Sequence, residues 1–162
     1  MPKLAITGDG LKIYDIVALV QDPEFQVDVP APIIKTIEKS REFLEQEMGK
    51  RVIYGVNTGF GPMASHIIGP KNLIQLQENL VVSHAVGMGD PIRSDFVLAA
   101  MIVRLNMFAK GYSGVSPELV RHLQLFINKR IIPTVPEHGA VGTSGDLVQL
   151  AHIALALIGK SI

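Results

Sequence analysis

The spacing of apolar positions along the chain reads as helices joined by glycine- and proline-rich loops. Leu11, Ile13, Ile16, Val17 and Val20 predict a short amphipathic helix over residues 11–20. A connector rich in proline and acids follows. Ile34, Ile37, Phe43 and Leu44 then place one apolar side on a helix over 33–48, with Pro32 near its start, where a missing N–H costs little. Leu73, Leu76, Leu80 and Val81 predict a third helix over about 71–86, stopped by Gly87, Gly89 and Pro91. Residues 94–110 are apolar nearly all round, the pattern of a central helix, and Arg104 and Asn106 within it need partners wherever they are buried. Ser116-Pro117-Glu118 predicts a capped start for a fifth helix over 117–128. Pro133 and Pro136 force an extended stretch over 131–136. A sixth helix is expected over about 146–158. The expected class is all-α, with six helices, no sheet and no internal repeat.

Composition narrows what such a bundle does. The 162 residues suffice for one domain, here read as spanning 1–162. Basic and acidic residues balance at 15 each, so no basic field gathers nucleic acid. Cysteine is absent, which excludes disulfides and thiolate metal sites and agrees with a reducing, cytoplasmic setting. No run reaches the roughly 18 apolar residues that cross a bilayer, and the N-terminus lacks the apolar core of a signal peptide. Apolar residues nonetheless make up 48% of the chain and mean hydropathy is +0.31. That excess predicts burial against another chain or further polypeptide.

Two glycine-rich strings carry the candidate chemistry. Residues 136–159 run PEHGAVGTSGDLVQLAHIALALIG. Read locally, Thr143, Ser144 or Asp146 caps the sixth helix, and Asp146 suits its positive end. Residues 54–61, YGVNTGFG, describe a loop entered by Tyr54. Gly59-Phe-Gly61-Pro-Met-Ala64 mimics a dinucleotide fingerprint, but no βαβ unit surrounds it. Ser83-His84 closes the third helix, where a histidine ordinarily serves structure. His66, His122, His138 and His152 lack metal-ligand spacing, and Ser144 lacks the nucleophile-elbow pattern of hydrolases.

Taken together and in order, these strings closely resemble the aromatic amino acid lyase and mutase family, which includes the histidine, phenylalanine and tyrosine ammonia-lyases. The resemblance covers about residues 5–160. It implies that Thr143-Ser144-Gly145 cyclises into a 4-methylideneimidazol-5-one prosthetic group, with no metal and no nucleotide. The Gly145 amide nitrogen attacks the Thr143 carbonyl carbon, one water leaves as the ring closes, and the Ser144 hydroxyl leaves as a second water. Glycine at 145 spares the turn a Cβ, and Gly139 and Gly142 let backbone come close. The substrate's amine then adds to the exocyclic methylene.

By the same resemblance Tyr54 is the catalytic base on a mobile inner loop. A phenol titrates near 10, so this role calls for neighbouring positive charge or hydrogen bonds. Ser83, His84 and Gly61 are implied to contact substrate, and the Ser-His pair resembles that of histidine-specific members. The expected reaction is loss of ammonia from L-histidine to give trans-urocanate. Most members carry Ala where this chain has Thr143, and Thr resembles some aminomutase-type members, so a phenylalanine- or tyrosine-type lyase or a 2,3-aminomutase stays open. Family members are roughly three times longer and homotetrameric, with sites drawn from more than one subunit. The chain is therefore expected to be an N-terminal portion without the C-terminal helical bundle. It is further expected to need a homo-oligomer or a complementary chain, and to be a truncated or split-subunit chain inactive alone, in which the ring closes inefficiently.

Overall fold

The computed structural model describes residues 3–142, 145 and 147–160. Among them are six α-helices: α1 (Ile13–Gln21), α2 (Ala31–Met48), α3 (Leu73–His84), α4 (Ser94–Ala109), α5 (Pro117–Asn128) and α6 (Leu147–Leu157). All six expected helices are present, and the all-α class holds. α5 has the expected bounds, with Ser116 Oγ accepting from the Leu119 N–H at 3.3 Å. α3 begins two residues later than expected, because Pro70–Asn72 forms a 3-10 turn instead.

The expectation of no sheet needs correction. β1 (Lys3–Ala5) pairs in parallel with β2 (Gln26–Asp28), and β3 (Met88–Pro91) pairs antiparallel with β4 (Pro136–His138). Strands of three or four residues are too short to show alternation, and Met-Gly-Asp-Pro reads as a turn. Side-chain amides complete these short ladders. Asn128 both accepts from the Val27 N–H and donates to the Val27 carbonyl, each at 2.9 Å. Asn106 does the same for Gly8, at 3.1 and 3.2 Å, which supplies the partner its place on α4 demanded. The Arg130 guanidinium closes off the last carbonyls of α1 by donating to Leu19 and Asp22.

α4 is central, as its composition predicts. Val97, Leu98, Met101, Ile102, Leu105 and Ala109 are buried against Leu19 of α1, Ile37 of α2 and Val120, Leu123 and Ile127 of α5. The other side of α4 is also apolar yet uncovered: Phe96, Val103 and Met107 are exposed. A second, smaller cluster joins α3 to α6 through Ala85, Ala151 and Leu155, with Val81 packed on it. Among the described residues no helix is long and apolar enough to cross a membrane.

Candidate active site

The loop after α2 is built on two buried polar side chains. Asn57 donates to the carbonyls of Met48 and Arg51, both at 2.9 Å, and accepts from the Ile53 N–H at 2.7 Å. Thr58 is 1% exposed, accepts from the Gly55 N–H and donates to the Gly59 carbonyl. These bonds brace the loop against the end of α2. Gly59 is crowded, since a Cβ there meets Met63 Cβ at 2.6 Å and Met63 O at 2.7 Å. Gly55 and Gly61 adopt φ of +76° and +54°, where side chains are disfavoured.

On this brace Tyr54 stands at the rim, 61% exposed. Its phenol oxygen accepts from the Gly61 N–H at 3.1 Å, and its ring meets Phe60 edge-on, with centroids 6.0 Å apart. Gly61, expected beside substrate, is thus tied to Tyr54. The loop hooks onto α3 where Gln77 donates to the Gly55 carbonyl at 3.2 Å. Gln77 lies two turns, about 10 Å, before His84 along the helix.

At the C-terminal end of α3 the Ser83-His84 pair shares one acceptor. His84 Nδ1 lies 2.8 Å from the Leu80 carbonyl and Ser83 Oγ donates to the same oxygen at 3.1 Å. Ser83 Oγ and His84 Nδ1 are 3.2 Å apart. A carbonyl can only accept, so Nδ1 carries a proton, and in the neutral form of the ring Nε2 then presents a lone pair. Both side chains are thereby set by one main-chain group.

The link from α3 to the loop before α6 is short and crowded. The Gly87 N–H donates to His152 Nε2 of α6 at 3.1 Å, and a Cβ at Gly87 lies 3.0 Å from both that nitrogen and Pro136 Cβ. Burial holds the His152 imidazole below its ordinary range, which keeps it neutral and accepting. His152 therefore fastens the end of α3 to α6. Nothing in its sequence spacing signals this contact across 65 residues. β3 then pairs with β4, Met88 opposite His138, and β4 runs directly into the glycine loop.

Thr143, Ser144 and Asp146 lie outside the described residues. Their flanks are described. Gly145 has φ +89°, and a Cβ there meets nothing within 4 Å, so glycine is required for its backbone conformation and not by crowding. The close backbone approach expected at Gly139 and Gly142 is not found among the described residues: a Cβ at Gly139 would meet a side chain, Val148 Cγ1 at 2.7 Å, and Gly142 faces open space. The β3–β4 ladder, the Gly87–His152 bond and the α3–α6 packing bring the end of α3, with Ser83-His84, and residues 139–142 to one end of the molecule. Among the described residues no hydrogen bond joins Tyr54 to Ser83, His84 or Gly145; its connection runs through Gln77.

Comparisons with known proteins identify the family and the fold. Residues 11–161 match the family Aromatic amino acid lyase. A protein named histidine ammonia-lyase from Staphylococcus aureus (strain bovine RF122 / ET3-1) is 43% identical over 158 residues, which is 97% of this chain and 31% of that protein. Tyrosine aminomutase from Streptomyces globisporus superposes with a TM-score of 0.90 at 36% identity, covering 98% of this chain and 30% of that one. Histidine ammonia-lyase from Trypanosoma cruzi superposes with a TM-score of 0.86 at 28% identity, over 98% and 30%. The chain thus spans about a third of the length of these relatives. Its sequence and helical fold place it in the aromatic amino acid lyase family.

Proposed function

We propose that this chain supplies the base, the substrate reader and the electrophile precursor of an ammonia-lyase that converts L-histidine to trans-urocanate. The reading rests on the Ser83-His84 pair and the tautomer that the Leu80 carbonyl imposes on it. A lone pair at Nε2 suits a ligand ring that donates N–H, as the substrate's imidazole does. A phenyl ring offers no such donor.

The described flanks fit a ring closed from Thr143, Ser144 and Gly145: Gly145 is already in the left-handed region, and Gly139 lets Val148 press on the loop. Once formed, that ring supplies an electrophile that turns the substrate's amine into a leaving group. Tyr54 takes the β-proton, and the Gly61 amide is a donor its phenolate can keep. His84 fixes the side-chain end of the substrate, with Ser83 beside it. Tyr54 is exposed here, so the working site needs further polypeptide to exclude water. We accordingly assign activity to an oligomeric or complemented assembly in the cytoplasm and none to the chain alone.

A second reading, a tyrosine- or phenylalanine-type lyase or 2,3-aminomutase, is favoured by Thr143 and by the likeness to the tyrosine aminomutase. The His84→Leu variant separates the two, in an assembly of this chain co-expressed with the part of the Staphylococcus aureus relative outside the match. Histidine kcat/KM is expected to fall about 10–100-fold, the effect of one lost buried hydrogen bond, with phenylalanine turnover unchanged or raised. Equal losses on both substrates would show that His84 serves structure only.

A further inference from the structure

The Tyr54 loop is held from two sides. Asn57 ties it to the end of α2 through the Met48 and Arg51 carbonyls. On the other side, among the described residues, one hydrogen bond reaches it from α3: Gln77 Nε2 donates to the Gly55 carbonyl at 3.2 Å. Gly55 directly follows Tyr54 and has φ +76°. Its own N–H donates to Thr58 Oγ1, also at 3.2 Å. The peptide groups on both sides of Gly55 are therefore clamped. Thr58 holds the one shared with Tyr54 from within the loop, and Gln77 holds the next from α3. Gln77, Val81 and His84 recur at intervals of four and three, which places them on one face of α3. With Gly55 and Val56, Gln77 and Val81 line a groove of about 770 Å³ between loop and helix.

We propose that Gln77 is a positioning residue for the elimination: through the Gly55 carbonyl it sets Tyr54 in register with His84 on the same face of α3. The inference rests on the reading of Tyr54 as the base. The other contacts of Tyr54, from its phenol to the Gly61 amide and from its ring to Phe60, run inside the loop. They fix the ring within the loop and leave the loop's orientation toward α3 to other groups. Glycine at 55 makes the torsions beside Tyr54 soft, so a clamp on its carbonyl decides which orientation is held. A carbonyl can only accept, so the amide nitrogen of Gln77 is the end that faces it. A displacement of about 1 Å at a reacting group can cost up to about 10²-fold in rate. One exposed hydrogen bond shifts the ratio of held to released loop by about ten-fold at most. The smaller figure bounds the effect of losing it.

Two substitutions remove the donor. Gln77→Ala does so with the best helix former, so α3 keeps its structure, and Gln77→Glu keeps the size of the side chain. In the complemented assembly both are expected to lower kcat for histidine about three- to ten-fold, with KM changed less than about two-fold. In a Tyr54→Phe background Gln77→Ala is expected to change kcat less than about two-fold, because it acts only through the base. Hydrogen exchange reads the same clamp without turnover, in the chain by itself. In Gln77→Ala the amides of residues 55–61 are expected to exchange at least about three-fold faster, with those of 80–87 unchanged. Full kcat in either single variant, an equal loss in both backgrounds, or unchanged exchange at 55–61 overturns the proposal. So does faster exchange along all of α3, which would make Gln77 a residue of helix stability. Wild-type kcat in Tyr54→Phe alone would instead remove the base from the reading on which the inference rests.

Discussion

Ser144→Ala is expected to abolish histidine turnover by the complemented assembly. The Ser144 hydroxyl is the only leaving group that can generate the exocyclic methylene, and alanine has none to lose. Intact mass reads this directly. The wild-type chain in the assembly should weigh two waters less than its sequence requires, and the variant should not show that loss. In the isolated chain most of the tripeptide is expected to stay unmodified, because closing the ring needs compression from the surrounding fold. Loss of a cap at the start of α6 costs about 0.5–2 kcal/mol, too little by itself to unfold an assembly. Full turnover in Ser144→Ala would remove the prosthetic group from the account.

Tyr54→Phe is expected to lower kcat by about 10²–10⁴-fold, the range for removing a general base. KM and the mass of the 143–145 peptide should stay unchanged. The structure makes this a clean substitution. Tyr54 is exposed, its ring contact with Phe60 survives in phenylalanine, and among the described residues the only hydrogen bond lost is that from the Gly61 amide. Stability should fall by no more than about 1 kcal/mol. The brace beneath, made by Asn57 and Thr58, is untouched. Steady-state kinetics and a thermal melt together separate a base from a scaffold residue: a parallel loss of Tm and activity would make Tyr54 structural.

The helices were legible because their apolar positions recur at helical spacing or their ends carry cap and proline signals. α5 shows this most clearly, where Ser116, Pro117 and the positions Val120, Leu123 and Ile127 agree on bounds and buried side. α4 was legible as central, but not that its apolar surface divides into a covered and an uncovered side. Composition records how apolar a helix is, whereas packing partners decide which side is buried. The strands escaped because partners such as Lys3 and Gln26 lie far apart in sequence and each strand holds three or four residues. The same limit applies at the candidate site. Tyr54, Ser83 and His84 could be singled out through the family resemblance. The main-chain groups that position them, the Gly61 amide and the Leu80 carbonyl, have no sequence signature. Nor has the Gly87–His152 bond, which depends on α3 and α6 already being packed.

The central claim is that these residues serve a histidine-specific elimination, and product analysis tests it most directly. The assembly of the wild-type chain with the part of the Staphylococcus aureus relative outside the match is given L-histidine, L-phenylalanine and L-tyrosine at equal concentration. Urocanate and ammonia in equal amounts, with little product from the other two, is the predicted result. Cinnamate, coumarate or a β-amino acid as the main product, with no urocanate, would contradict it.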